Sequence, residues 1–331
     1  MPPATAKTAT HGPGHVHPCD ALPAPGNKHT KTQAGPVNPT DPEQLSIVCV
    51  TYNSAHVVPA LARSLRDHKT VVIVDNASSD DTVALLQQQL PQAQVIARKR
   101  NAGFGAANNQ AMARVSTPYA LLLNPDCQIQ PGDLQRLLQC LQAHPQAGLV
   151  APQGWRSAGV PQKSWRPAFH HAQPDSPYRV PDTTLQAGWV HGSCLLVRRT
   201  AFEQIGGFDP TFFLYYEDDD LCLRMQQAGW HCLLEPSANS LHPGGASSSP
   251  SARTTFIKQF HYARSRQIAL GRYAGHRAAL SHRLKLLLAW LPAMLLYALL
   301  LRRHDLSKWF GWGLAASCAS LHLDRLAARI R

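Results

Sequence analysis

From Leu45 onward, short and almost wholly apolar runs alternate with longer stretches of helical spacing. SIVCV (Ser46–Val50), TVVIV (Thr70–Val74), QVIAR (Gln94–Arg98) and YALLL (Tyr119–Leu123) are too short for helices and rich in branched side chains, which predicts buried parallel strands. Helices are expected between and after them, at Val57–Arg66, Asp81–Gln89, Ala106–Val115 and Asp133–Ala143. This alternation predicts an α/β doubly wound sheet, mostly parallel, whose ligands bind at the carboxyl ends of the strands. Beyond residue 152 the rhythm breaks into a Pro- and Trp-bearing stretch (Pro152–Pro181), then GSCLLVRR (Gly192–Arg199), a short helix and GGFD (Gly206–Asp209). That half is expected to complete the site with loops.

Three regions follow from the texture. Residues 1–44, rich in Pro, Gly, Thr and His with hardly a large apolar side chain, read as a disordered tail. They lack the continuous apolar run of a secretory signal. The HGPGHVH segment within them reads as a floppy polar stretch or a weak chelator. Residues 45–250 form the globular domain, and residues 251–331 a basic, partly apolar helical segment. The net charge of +12 resides in this last segment, which holds 14 Lys and Arg against 2 acids, whereas residues 45–250 hold 15 of each sign. Such a tail implies an anionic partner. Within it LLLAWLPAMLLYALLL (Leu286–Leu301) carries no charge, but its 16 residues, interrupted by Pro292, fall short of the roughly 20 needed to span a bilayer. Bracketed by Arg283, Lys285, Arg302 and Arg303, it fits a helix or hairpin lying in a membrane interface, or a buried helix pair, and not a nucleic-acid patch. The 8 cysteines form no CxxC pair and several lie in apolar runs, so they read as reduced core residues of a cytosolic protein.

Polar groups sit where the strands end. The first strand runs into Thr51, Tyr52 and Asn53, the second into DNASSDD (Asp75–Asp81), the fourth into Asn124-Pro-Asp126, and RNAGFGAANN (Arg100–Asn109) follows the third. Each has an ordinary reading as well, since Asn, Asp, Ser and Gly build turns and helix starts. The glycine-bearing loop could bring backbone N–H groups to an anion, although it is not the GxGxxG pattern. Asp126 beyond a buried strand suits a hard divalent cation such as Mg²⁺ or Mn²⁺, or simply ends a turn. His242 in SLHPGG reads most simply as an exposed loop histidine. Finally Glu217, Asp218, Asp219 and Asp220 stand in a row between apolar runs. One or two acids would serve a helix start; four adjacent ones also fit a site for a cation or a proton. Tyr215, Tyr216, Trp189 and Trp165 offer either an apolar face for a sugar ring or ordinary core packing.

Taken in order, VCVTYN, VIVDNASSDDT, RNAGFGAANN, LLLNPD, GSCLLVRRTAFEQIGGFDPTFFLYYEDDDLCLRMQQAGW and LHPGG make residues 45–245 resemble the family 2 glycosyltransferases, and most of all their bacterial rhamnosyltransferase-like branch. The resemblance implies a GT-A type fold, a nucleotide-sugar donor and a lipid-linked glycan acceptor at the inner face of the cytoplasmic membrane. It puts Thr51 and Asn53 against the nucleotide, Asp75 on the pyrimidine base, and Asn101 and Gly103 in the wall of the donor pocket. Asp126 matches the second Asp of the metal-binding Asp-x-Asp motif, Asn124 replaces the first, and His242 falls where a further metal ligand stands. Asp218 would be the catalytic base and Glu217 would position the base or the acceptor. Asp219 and Asp220 would cap the helix, with Arg224 as counter-charge. The resemblance implies inverting transfer with Mg²⁺ or Mn²⁺, with dTDP-rhamnose as donor. UDP-galactose, UDP-N-acetylglucosamine and GDP-mannose are alternatives, as is a catalytically silent binding homologue.

Overall fold

The structure is a computed structural model that describes residues 41, 43–168, 178–244 and 251–317. The tail and its histidines, the end of the C-terminal segment, Cys19 and Cys318 thus lie outside the described residues. In chain order the elements are β1 (Leu45–Thr51), α1 (Val58–Leu65), β2 (Val71–Asp75), α2 (Thr82–Gln89), β3 (Gln94–Ala97), α3 (Phe104–Met112), β4 (Tyr119–Leu123), β5 (Gln128–Ile129), α4 (Pro131–Ala143) and β6 (Ala147–Ser157). Four short strands follow: β7 (Val160–Pro161), β8 (Trp165–Arg166), β9 (Leu185–Gln186) and β10 (Trp189–Val190). Then come β11 (Cys194–Arg198), α5 (Arg199–Gln204), α6 (Glu217–Gln227), β12 (His231–Leu241), α7 (Ala252–Tyr273), α8 (His276–Leu299) and α9 (Arg303–Ser317).

The main sheet runs β3-β2-β1-β4-β11-β6-β12-β5, with β1, β2, β3 and β4 parallel and β11 inserted antiparallel. Alternation along β1 explains the layering. Leu45, Ile47 and Cys49 face a core with Leu61 and Leu65 of α1 and Leu134, Leu137 and Leu141 of α4. Val48 and Val50 face the opposite core, with Ala107 and Ala111 of α3 and Leu221 and Met225 of α6. Both faces of the strands are therefore buried, as their unbroken apolar runs require. The six described cysteines are free and buried.

Two expectations change. The strand at Gln94–Ala97 is an edge and is only partly covered, because among the described residues no strand pairs beyond it. The second half is more than loops: β6, β11 and β12 fill the middle of the sheet, and β6 and β12 run 11 residues each. Their polar ends and internal prolines masked them in the sequence.

The described part of the C-terminal segment, residues 251–317, is three helices. Phe260 and Ala263 of α7 pack on Ala315, Trp312 and Leu314 of α9 and Leu286 of α8. The apolar run is one end of a continuous 24-residue helix that passes through Pro292, and no residue of that helix is buried. Helix α7 is bolted to the sheet domain through Asp220, which is fully buried and meets Arg272 (2.8 Å) and the Tyr273 hydroxyl (2.6 Å).

Candidate active site

At the carboxyl ends of β1 and β2 the expected residues interlock. The Asp75 carboxylate is buried and accepts from the Thr51 hydroxyl (3.0 Å) and from the Ser78 N–H (2.8 Å). Asn53, at φ +50°, donates its backbone N–H to the Ser78 hydroxyl (2.8 Å) and accepts the Ser79 N–H on Oδ1 (2.8 Å). Thr51, Asn53 and Asp75 thus lock two loops into one crevice wall, with Ser78 as shared partner. Asp80 performs the turn work, taking the N–H groups of Ala55 and Thr82.

The glycine loop joins the same wall through Asn76, a residue that the sequence reading missed. Its Oδ1 accepts the Ala102 N–H (3.0 Å) and its Nδ2 donates to the Gly103 carbonyl (3.1 Å). Asn101 in turn accepts the Gly103 N–H (2.9 Å). Gly103 has φ +93°, and a Cβ there would fall 2.5 Å from the Phe213 carbonyl oxygen. That close approach lets Phe104 N–H bond the same carbonyl (2.9 Å), which fixes the loop against the segment leading to the acids.

Asn124 and Asp126 follow β4, and the Asn124 N–H donates to the Ser193 carbonyl across to β11. His242, just past β12, is buried and not the exposed loop residue its setting suggested; its Nε2 lies 3.4 Å from Asp126 Oδ1. Its backbone N–H bonds the Trp155 carbonyl (2.8 Å) and its Nδ1 meets the Gln162 amide (3.2 Å). The same amide touches His191, whose ring lies 5.5 Å from that of His242. Burial holds the His191 imidazole down, to about 4, with Asp218 opposing and the neighbouring His242 ring adding to the lowering, so His191 is neutral.

The Asp126 carboxylate, the His242 imidazole and Asn124 Oδ1, a buried acceptor with no hydrogen-bond partner, make a donor set of oxygens and one nitrogen. Such a set fits a Mg²⁺- or Mn²⁺-like ion that takes its remaining ligands from phosphate and water. Among the described residues no group of three His, Cys, Asp and Glu gathers in metal-binding arrangement. Burial holds the Lys258 ammonium of α7 below the usual lysine range while the Asp126 charge opposes it, which places at this corner a lysine that sequence order gave no way to find.

The acid row opens α6 after two consecutive residues, Tyr215 and Tyr216, in the left-handed region at φ +65° and +66°. Non-glycine residues pay for that conformation, and it persists where surroundings impose it. Here both rings pack against Tyr262 of α7, each with centroids 5.7 Å apart. Asp218 is half-buried; its Oδ2 accepts the Gly192 N–H (3.1 Å) and its Oδ1 the Asp219 N–H (3.0 Å). Glu217 is buried, with Oε2 unpartnered, and burial together with the Asp218 charge pushes its carboxyl well above the usual range.

Asp219 and Asp220 do not cap α6; both are ion-paired. Asp219 meets Arg166 at 2.6 Å, and that guanidinium lies over the Trp189 ring at 4.3 Å. Burial and Asp218 nevertheless outweigh Arg166 and push Asp219 up to about 7. Asp220 takes Arg224 at 2.7 Å, the counter-charge expected, in addition to its α7 partners. Trp189 is core, whereas Tyr215 lines an open cavity.

Residues 46–206 match the model of glycosyl transferase family 2, and residues 178–323 that of glycosyl transferase family group 2. An N-acetylglucosaminyl-diphospho-decaprenol L-rhamnosyltransferase of Mycobacterium tuberculosis is 30% identical over 237 residues, covering 60% of this chain and 75% of that protein. The chain belongs to glycosyltransferase family 2. The rhamnosyltransferase WbbL of Escherichia coli is 43% identical over a shorter stretch of 54 residues, 16% of this chain and 20% of its own. Among solved structures, the mannosyltransferase PcManGT of Pyrobaculum calidifontis, in complex with GDP-Man and Mn²⁺, superimposes with a TM-score of 0.52 at 16% identity, over 91% of this chain and 90% of that one. GalNAc-T7 with UDP, GalNAc and Mn²⁺ gives 0.51 at 14% identity, over 69% and 51%. These two confirm the GT-A type fold of the transferase.

Proposed function

We propose that this glycosyltransferase moves L-rhamnose from dTDP-rhamnose, with inversion, onto a lipid-linked glycan during the assembly of cell-surface polysaccharide. The observation that carries the reading is Asp218, a half-exposed carboxylate whose two oxygens are each held by one backbone N–H. The relative that is 30% identical over 60% of this chain is named for rhamnosyl transfer to an N-acetylglucosaminyl-diphospho-decaprenol acceptor, which supports both donor and acceptor class.

In this reading Asp218 takes the proton of the acceptor hydroxyl as the oxygen attacks the anomeric carbon from the side opposite the leaving nucleoside diphosphate. One carbon–oxygen bond forms as the other breaks, in a single step that inverts the centre. Glu217, in its protonated form, removes one of two adjacent charges and keeps the pair compact. The crevice wall built by Thr51, Asn53, Asp75, Asn101 and Gly103 takes the nucleotide. Asp126 and His242, with Asn124 beside them, would hold Mg²⁺ or Mn²⁺, and such an ion neutralises charge on the departing diphosphate.

The C-terminal helices suit the inner surface of the cytoplasmic membrane. Leu280, Leu284, Leu288, Leu291, Leu295 and Leu299 recur at spacings of three and four along α8 and are 45–83% exposed. Arg277, Lys285, Arg302 and Arg303 flank that stripe with charge complementary to anionic headgroups.

The test offers purified protein and Mn²⁺ or Mg²⁺ a panel of dTDP-rhamnose, UDP-galactose, UDP-glucose, UDP-N-acetylglucosamine and GDP-mannose, scored by nucleotide release and thermal shift. Slow release from dTDP-rhamnose alone, abolished by chelator, is expected. Release from another donor would replace the sugar; binding to none would leave a silent homologue.

A further inference from the structure

The acid row borders a space that the nucleotide crevice does not use. Tyr215, two residues before Glu217, walls a cavity of about 410 Å³ whose other sides are Tyr262 and Arg266 of α7, His282 and Leu286 of α8, and Trp312 of α9. Its walls are fixed. The Trp312 indole donates to Gln259 (2.8 Å), and the Tyr262 ring packs edge-on against Tyr215.

The cavity is cationic. Among the described residues no carboxylate lies within ion-pair distance of Arg266. Burial, then Arg266, then Lys285 hold the His282 imidazole down to about 4, so the ring is a neutral hydrogen-bonding group beside a free guanidinium. An uncompensated Arg in a partly enclosed space among aromatic rings is suited to phosphate, which it can pair with two parallel hydrogen bonds. On α8 the same helix then carries the exposed leucine stripe. A path from Asp218 thus passes a tyrosine pair, a cationic cavity and an apolar helix face. That is the order of parts in a glycan joined through diphosphate to a long isoprenoid.

Resting on the acceptor class proposed above, we propose that this cavity binds the diphosphate of the polyisoprenyl-linked acceptor, Arg266 pairing with its phosphates while the prenyl chain leaves along α8. Arg266 is then an acceptor-specificity residue, because a glycan without the lipid diphosphate forfeits its contact.

The experiment titrates full-length protein with farnesyl diphosphate, farnesol and inorganic pyrophosphate, following tryptophan fluorescence and calorimetric heat. Farnesyl diphosphate is expected to bind at least tenfold more tightly than either fragment. Arg266→Gln should weaken it about tenfold or more, with Arg266→Lys intermediate; melting curves show that each variant is folded. Equal affinity in wild type and Arg266→Gln overturns the assignment, as does pyrophosphate binding as tightly as the prenyl compound. Competition by phosphatidylglycerol vesicles as effective as by free farnesyl diphosphate would make the ligand a phospholipid headgroup and also overturn it. Donor nucleotide release by wild type is measured in parallel. Release without farnesyl diphosphate binding removes this site and leaves the transferase reading standing. Arg266-dependent binding without release keeps the site and removes that reading.

Discussion

Replacing Asp220 with Ala should separate the C-terminal helices from the transferase domain. The carboxylate is fully buried and holds three donors: Arg224 at 2.7 Å, Arg272 at 2.8 Å and Tyr273 at 2.6 Å. The three are not equal. Arg272 is 36% exposed and keeps a second carboxylate, Asp209, at 2.7 Å, so its arm counts as a surface pair of about 0–1 kcal/mol. Arg224 is more enclosed, and Tyr273 donates to a charged acceptor, a bond of about 1.5–3 kcal/mol. Breaking a buried pair from one side costs about 3–5 kcal/mol because the partner charge is stranded. We take about 4 kcal/mol for Asp220→Ala, which at roughly 2–4 °C per kcal/mol for a domain of this size lowers Tm by about 8–16 °C. Asp220→Asn keeps the volume and one acceptor and should lose about half as much. Asp209→Ala removes only an outer arm and should cost no more than about 1 kcal/mol. Thermal unfolding of the three variants decides it. If Asp220→Ala and Asp209→Ala fall by the same few degrees, the buried carboxylate is not the clamp, and the ranking by burial is wrong.

Asp218→Asn should cut sugar transfer about 10²–10⁴-fold while leaving donor affinity near that of wild type, measured by turnover and by nucleotide binding; retained turnover would remove the base assignment. Glu217→Gln tests the raised carboxyl through pH. A folded-state value above the unfolded one gives stability that is present at low pH and lost as pH rises through the window above the ordinary Glu range. Wild type should therefore lose Tm relative to Glu217→Gln between pH 5 and pH 8, and a gap that does not change with pH would count against it. Gly103→Ala must strain φ +93° and meet the Phe213 carbonyl, so it should lower stability by about 1–3 kcal/mol and weaken donor binding, both read by thermal shift with and without nucleotide.

How much of this was legible in the sequence depends on whether the signal was local. Strands β1, β2 and β4 and the four helices of the first half announced themselves through unbroken apolar runs and helical spacing, because burial on both faces leaves no polar position in the strand. Strands β6 and β12 did not, since the buried Gln153 and Gly154 interrupt the apolar run of one, and the part-buried Glu235 and exposed Ser237 that of the other. Thr51, Asn53, Asp75, Asn101 and Gly103 lie in loops that interlock at the strand ends, yet the partners that lock them were invisible in the sequence. Asn76 bridges to a loop 26 residues away, and Arg166 reaches Asp219 across 53 residues. The burial of His242 rests on Trp155 and Gln162, both distant in the chain, whereas a Gly- and Pro-rich context spoke for exposure.

The acid row shows most plainly why adjacency in sequence misleads. On a helix of 3.6 residues per turn, four consecutive side chains point in four directions about 100° apart. Asp218 turns to the crevice and Gly192, Asp219 to Arg166 on β8, Asp220 inward to Arg224 and α7, and Glu217 into a buried position without a counter-charge. Repulsion that looks prohibitive in a row of letters is therefore divided among separate partners, with the remainder carried by raised carboxyl values at Glu217 and Asp219. One helix start thus supplies the half-exposed carboxylate held by Gly192, the pair that braces β8, and the clamp that holds the C-terminal helices. Because all three hang on the same turn, a shift of α7 against Asp220 must also move the backbone that carries Asp218, and this links seating of the C-terminal helices to the position of the Asp218 carboxylate.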